Sequence, residues 1–159
     1  MMPALVEAPD VAVPVALRRA SVEDTGAILR LLFDAATRSP YTGGAVLDRD
    51  GLTAHFTGLI ANSNVGFLIA ISGADVCGVL GLMLYDDLIS SDRLAAQICW
   101  YVAKERRDGT GIKLLSYGEE WAKQHGVTRI QMVAPAPKFN AVFTRRGYVA
   151  THRVYERRL

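Results

Sequence analysis

Cysteine is scarce in this chain: of 159 residues, only Cys77 and Cys99 carry a thiol, and they form no C-x-x-C pair. The three histidines, His55, His125 and His152, stand at no ligand spacing. A disulfide scaffold and a thiolate or imidazole metal centre are therefore excluded as organising principles. Both cysteines lie in apolar runs and read as buried thiols of a protein kept in a reducing, cytoplasmic setting. No apolar run approaches the ~20 residues that a bilayer-spanning helix needs. The opening "MMPALVEAPDVAVPV" lacks a basic stretch and is rich in proline, so residues 1–14 read as a flexible tail rather than a signal peptide. Aromatic residues make up only 8% and are not interleaved with the basic ones. With no nucleic-acid motif present either, nucleic acid is not the expected partner.

What the chain does have is a charge asymmetry. Residues 1–100 carry six Lys/Arg against eleven Asp/Glu, a balance of −5, whereas residues 101–159 carry twelve against five, a balance of +7. A basic second half calls for an anionic partner, and a phosphorylated small molecule is the economical choice. Half of the residues are apolar, enough for one domain over residues 15–159 to bury a core.

The hydrophobic pattern sets out the elements. "VALRRAS" alternates as a first strand, and Ser21 with Asp24 resembles an N-cap before a helix from about Val22 to Thr37, whose Ile28, Leu31, Leu32 and Ala35 recur at helical spacing. "RSPYTGGAVLDRDG" is loop, and Leu52, Phe56, Leu59 and Ile60 mark a second helix. "VGFLIAI" and "VCGVLGLMLY" flank the turn "SGAD" and form a hairpin, and "LAAQICWYV" follows the polar loop "DDLISSD". Next come a glycine loop, a helix with Leu114, Leu115, Gly118, Trp121, Ala122 and His125 on one face, and the strand "TRIQMVA". Strand, loop, helix and strand make a βαβ unit with parallel strands. "FNAVFTRR" reads as a short helix stopped at Gly147, and "YVATHRVYERR" as a last strand. The expected architecture is α/β: a mixed sheet, antiparallel first and then parallel, with helices on both faces.

The glycine loop, Arg106-Arg107-Asp108-Gly109-Thr110-Gly111, stands between an apolar strand and an apolar helix. A helix N-terminus presents unpaired N–H groups and partial positive charge, glycine lets an anion approach them, and arginine adds forked donors. The string is neither a Walker loop nor a dinucleotide fingerprint, because G-x-x-x-x-G-K-[ST] is absent and G-x-G-x-x-G lacks its last glycine. From these residues alone, a phosphate cradle and a tight turn with solvated arginines both remain open.

The same string resembles the R/Q-x-x-G-x-G/A loop of GNAT-type acyltransferases, and the likeness extends from about Val15 to Leu159. "WYV" is similar to that family's fourth strand, "GIKLLSYGEEWAKQHG" to its following helix, and "VFTRRGY" to its late L-Y-x-x-x-G-F/Y segment. The resemblance implies a GNAT fold whose fourth and fifth strands splay apart. It implies acetyl-CoA as acyl donor, with the loop amides of Arg106, Arg107, Asp108, Gly109, Thr110 and Gly111 around its pyrophosphate. Tyr101, Val102 and Ala103 would offer main-chain groups to the pantetheine arm, and the Asp108 carboxylate would point to solvent. It also implies an amine acceptor (small molecule, peptide or protein), and homodimers are frequent in the family. One departure is plain: the connection from Val102 to Arg106 is one residue shorter than the family's usual spacing and lacks its common proline.

No catalytic residue can be assigned from the sequence. Where many GNAT enzymes carry a carboxylate base this chain has Gln97, and where they carry a tyrosine acid it has Phe143. Tyr101, Tyr148 or a water are substitutes without supporting spacing, and Asn140 takes no role. The three histidines read as surface or packing residues, Asp86 and Asp87 as a solvated loop, and Trp100 and Trp121 as core. Tyr41 and "YTGG" are placed to cover the acceptor. Without a base, an acceptor amine of low pKa is favoured. A lysine of pKa ~10.4 is roughly 0.04% neutral at pH 7, whereas an α-amine near 7.8 is more than about 10% neutral. The competing expectation is a GNAT-fold module that binds CoA or a protein partner with little or no catalysis.

Overall fold

A computed structural model describes residues 13–38, 48–134, 136–155 and 157. Its elements run β1 (Val15–Arg19), α1 (Thr25–Thr37), α2 (Arg49–Ala61), β2 (Val65–Ser72), β3 (Asp75–Asp86), β4 (Arg93–Val102), α3 (Thr110–Gln124), β5 (Arg129–Gln131) and α4 (Asn140–Arg145). The five strands form one sheet in chain order. β1 to β4 are antiparallel neighbours, and β4 and β5 run parallel, as the βαβ pattern predicts.

Alternation along β2 explains the two-layered core. Val65, Phe67 and Ile69 turn to one face, where Ile28 and Leu31 of α1 and Ile60 of α2 meet them. Leu68 and Ala70 turn to the other, against Leu114, Trp121 and Ala122 of α3. A strand covered on both faces needs a continuous apolar run rather than strict alternation, and "VGFLIA" is one. Gly66 lies under the Trp121 indole, where a Cβ would come within 2.5 Å of the ring. The Ser21–Asp24 pattern also holds: the Asp24 carboxylate accepts from the Ser21 N–H at 2.8 Å ahead of α1 and pairs with Arg18 at 2.7 Å.

The C-terminal side departs from expectation. β5 is confined to Arg129–Gln131, shorter than "TRIQMVA" suggests. "YVATHRVYERR" forms no strand among its described residues, and Val149, Val154 and Tyr155 are 80%, 81% and 87% exposed. Apolar alternation makes a strand only where a neighbour accepts its ladder, and none of the described strands pairs with this segment.

Candidate cofactor and acyl-transfer site

The site begins where the sheet opens. β4 and β5 pair only from Leu94↔Arg129 to Ala96↔Gln131. Beyond Ala96, β4 continues to Val102 with no strand on that edge among the described residues. The Gln97 side chain closes the fork by accepting the Val133 N–H at 3.1 Å. The residue at the expected base position thus holds the two strands where they part. A bulge sits beside it: Gly81 faces Cys99 and Leu82 faces Gln97, leaving Ile98 as an extra residue in β4.

A short 3-10 turn, Lys104–Arg106, links β4 to the glycine loop. Gly109 is the N-cap of α3 at φ +101°, a left-handed conformation that disfavours side chains. A Cβ at this position would stand in open space. Among the described residues no side chain caps α3, which leaves the N–H groups of its first turn open to an external acceptor. The nearest candidate, Asp108, is exposed as expected, but its carboxylate accepts from the Thr110 hydroxyl at 3.1 Å, which holds its pKa below the usual value.

The two arginines divide. Arg106 turns away from the loop, donates to the Val13 carbonyl at 2.7 Å, and buries an Nε that has no partner. Arg107 folds back on β4: its Nε donates to the Val102 carbonyl at 3.0 Å, and its guanidinium lies 5.4 Å from the Tyr101 ring centre. The Ala103 N–H goes to the Cys77 carbonyl at 2.8 Å and is committed to the sheet. Of the three residues expected to offer main-chain groups, Val102 therefore has its carbonyl held by Arg107, and Ala103 has its N–H spent on β3.

Trp100, expected as core, is half-buried at the edge of this opening. Its indole lies beneath Gly111 at the start of α3 and packs on Phe139 and Phe143, with ring centres 5.9 Å from each. Its Nε1 is buried with no partner among the described residues. The sequence signal for this placement was position alone: Trp100 precedes Val102 by two residues and so shares its face of β4.

Both substitute tyrosines are committed elsewhere. Tyr101 donates to Asp34 of α1 at 2.8 Å, which raises its own pKa, after burial, and lowers that of Asp34, which also pairs with Arg38. Tyr148 donates to Glu119 at 2.8 Å, and burial pushes its pKa well above the usual phenol value. Phe143 is buried between Trp100 and Tyr148. Cys99 packs beside Gly81, with burial pushing its thiol up to about 12. Cys77 is buried, and desolvation raises its pKa too. Trp121 is core.

The remaining candidates play structural parts. Asp87 accepts from the Ile89 and Ser90 N–H groups and from Arg129, so it shapes its own loop. His125 Nδ1 donates to the Trp121 carbonyl at 2.8 Å, His55 packs edge-on to Phe56, and His152 bonds Thr151. Tyr41 and "YTGG" lie outside the described residues. Among the described residues no group of His, Cys, Asp or Glu could hold a metal ion, and no helix is long and apolar enough to cross a membrane.

A family model described as the acetyltransferase (GNAT) family matches residues 29–157. The chain belongs to the GNAT acetyltransferase family. Solved structures share its fold at low identity. A transcriptional regulator from Bacillus halodurans superposes with a TM-score of 0.76 at 20% identity over 92% of this chain and 100% of its own. An aminoglycoside acetyltransferase from an uncultured soil metagenomic sample, solved with sisomicin, gives 0.68 at 18% over 91% and 97%. A ribosomal-protein-alanine N-acetyltransferase from Brucella melitensis biovar Abortus gives 0.70 at 16% over 91% and 99%. No curated protein matches the sequence. In this GNAT acetyltransferase the residues Arg106–Gly111 run into the start of α3, beside the point where β4 and β5 part.

Proposed function

We propose that this chain is an N-acetyltransferase that takes an acetyl group from acetyl-CoA and passes it to a primary amine. The observation that carries the reading is the start of α3: no side chain caps it, and Gly109 at φ +101° leaves open space in front of it. A pyrophosphate fits such a place, because unpaired N–H groups and the helix dipole both favour an anion there. The buried Nε1 of Trp100, beside Gly111 at the start of α3, is a further unpaired donor, which also suits a polar ligand.

When bound, the donor supplies an acetyl thioester. The chain's own residues then have distinct tasks. The first-turn N–H groups of α3 would hold the pyrophosphate, the edge of β4 around Val102 would orient the arm, and Trp100, Phe139 and Phe143 would keep water from it. No carboxylate of β4 is placed to take a proton from the amine, since Gln97 is bound to Val133. An amine that arrives neutral removes the need for one, and positioning supplies the rate.

One observation favours a second reading, a binding module: the hydroxyls of Tyr101 and Tyr148 are both engaged by carboxylates, so neither is free to give a proton to a leaving thiolate. Calorimetry with acetyl-CoA tests the cofactor claim. The wild type is expected to bind at micromolar level, and Gly109→Asp, which adds a side chain and a negative charge, to abolish binding while the protein stays folded. No binding by the wild type overturns the proposal. Binding with no transfer to any amine leaves the binding module.

A further inference from the structure

The shortened connection between β4 and the glycine loop has a consequence for donor choice. Ala103 sends its N–H to Cys77 of β3, so strand alternation turns the main-chain groups of Val102 to the opposite, unpaired edge. That edge is where a pantetheine arm would pair, and its carbonyl is already taken by Arg107 Nε at 3.0 Å. Arg107 is five residues on from Val102, and the short turn is what brings its side chain back to the strand.

Arg106 cannot exchange roles with it. Its guanidinium is bonded to Val13 and its Nε is buried. Arg107 by contrast is exposed, stands directly before the loop's aspartate and glycine, and rests on the Tyr101 ring. Its side chain holds the carbonyl behind it, while its main chain leads through Asp108 and Gly109 into the start of α3.

We propose that Arg107 selects for CoA thioesters over acyl donors with a bare pantetheine arm. Resting on the acetyl-CoA reading above, the proposal has the Val102 carbonyl exchange its bond to Arg107 for one to the arm, and the pyrophosphate gives the released guanidinium a stronger, forked partner. A donor without pyrophosphate must break the Arg107–Val102 bond and offers nothing in return. A hydrogen bond from a charged donor is strong enough to change affinity by about tenfold or more.

The test is a crossed comparison by calorimetry on the full chain: wild type and Arg107→Met, each titrated with acetyl-CoA and with acetyl-pantetheine. Met keeps an apolar stem against Tyr101 and removes both the bond to Val102 and the charge. The variant is expected to bind acetyl-CoA about tenfold more weakly and acetyl-pantetheine about tenfold more tightly than wild type. Opposite signs are what a residue serving only the pyrophosphate would not produce. If Arg107→Met weakens both ligands, or leaves acetyl-pantetheine unchanged, the selection role is overturned while the cofactor site stands. If wild type binds neither ligand, the acetyl-CoA reading itself fails. Should Arg107→Met not fold, Arg107→Lys, which keeps the charge, carries the acetyl-pantetheine half of the comparison with the same tightening expected, because an ammonium cannot present the Nε geometry that holds Val102.

Discussion

The Tyr148 hydroxyl donates to the Glu119 carboxylate at 2.8 Å, and the same carboxylate pairs with Arg146 at 2.5 Å. Gly147, at φ +83°, ends α4 and turns Tyr148 back so that its N–H reaches the Phe143 carbonyl at 3.0 Å. Tyr148 thus ties α4 to α3. Breaking one bond to a charged acceptor with Tyr148→Phe should lower stability by about 1.5 kcal/mol in urea melts.

The same bonds set an alkaline signature. Tyr101 and Tyr148 both have raised pKa values, through burial first and then their carboxylate partners. A phenol whose folded pKa exceeds its unfolded value of about 10 contributes stability that is complete below that pH and is lost as pH rises above it. In an ultraviolet titration Tyr101 and Tyr148 should ionise above the usual phenol range, and stability should fall above about pH 10. Ionisation of Tyr101 and Tyr148 near pH 10 would contradict the two hydrogen bonds.

Two glycines should answer an alanine substitution with opposite signs. At Gly66 a Cβ would meet the Trp121 ring at 2.5 Å, and a buried indole has no room to move. Gly66→Ala should cost about 2–3 kcal/mol. Gly58, inside α2, has nothing within 4 Å of the same position. Gly58→Ala should stabilise by about 0.5–1 kcal/mol through helix propensity.

Acid should expose the Arg18–Asp24 pair. The Arg18 guanidinium, followed by the Ser21 N–H and hydroxyl, lowers the Asp24 pKa from 3.8 to about 2 against a smaller opposing effect of burial. A carboxylate held low stabilises the fold above its unfolded pKa, and that contribution disappears as pH falls from about 4 to about 2. With Arg18 half exposed, solvent screening leaves the pair about 1 kcal/mol. Asp24→Asn should therefore be less stable than wild type at pH 7 and converge with it near pH 2 in thermal melts.

With Gln97 occupied and no base on β4, transfer rates should follow the neutral fraction of the acceptor. At pH 7 an α-amine should outpace a lysine-type amine of equal size by up to about 300-fold, the ratio of their neutral populations. The gap should close as pH approaches 9–10, within the roughly tenfold-per-unit rise of the lysine's neutral form. Equal rates for both at pH 7 would require a base that this arrangement lacks.

The order of elements, the two-faced burial of β2 and the loop at the start of α3 were legible because each rests on local periodicity or on glycine next to an apolar helix. The partnerships within the site were not. Tyr101 and Asp34 are 67 positions apart, and only the seating of α1 on the sheet brings them together. Gln97 and Val133 are 36 apart and meet because β5 stops pairing at Gln131. The last strand was misread for a related reason. "YVATHRVYERR" has strand-like residues, but strand formation depends on an adjacent edge that no local pattern reveals. Trp100 looked like core because an indole between apolar residues gives no sign of an unpaired N–H.

The fork between β4 and β5 also divides the molecule by resistance to opening. β5 pairs with the sheet over three residue pairs, helped by side-chain bonds such as Tyr85 to Gln131 and Arg129 to Asp87, whereas the other strands are joined along most of their length. Segments held by few backbone pairs open at lower free energy than the whole. The last quarter of the chain should therefore exchange its amide hydrogens ahead of β2 and β3. A ligand lodged in the fork would slow that exchange by acting as the missing rungs of the ladder.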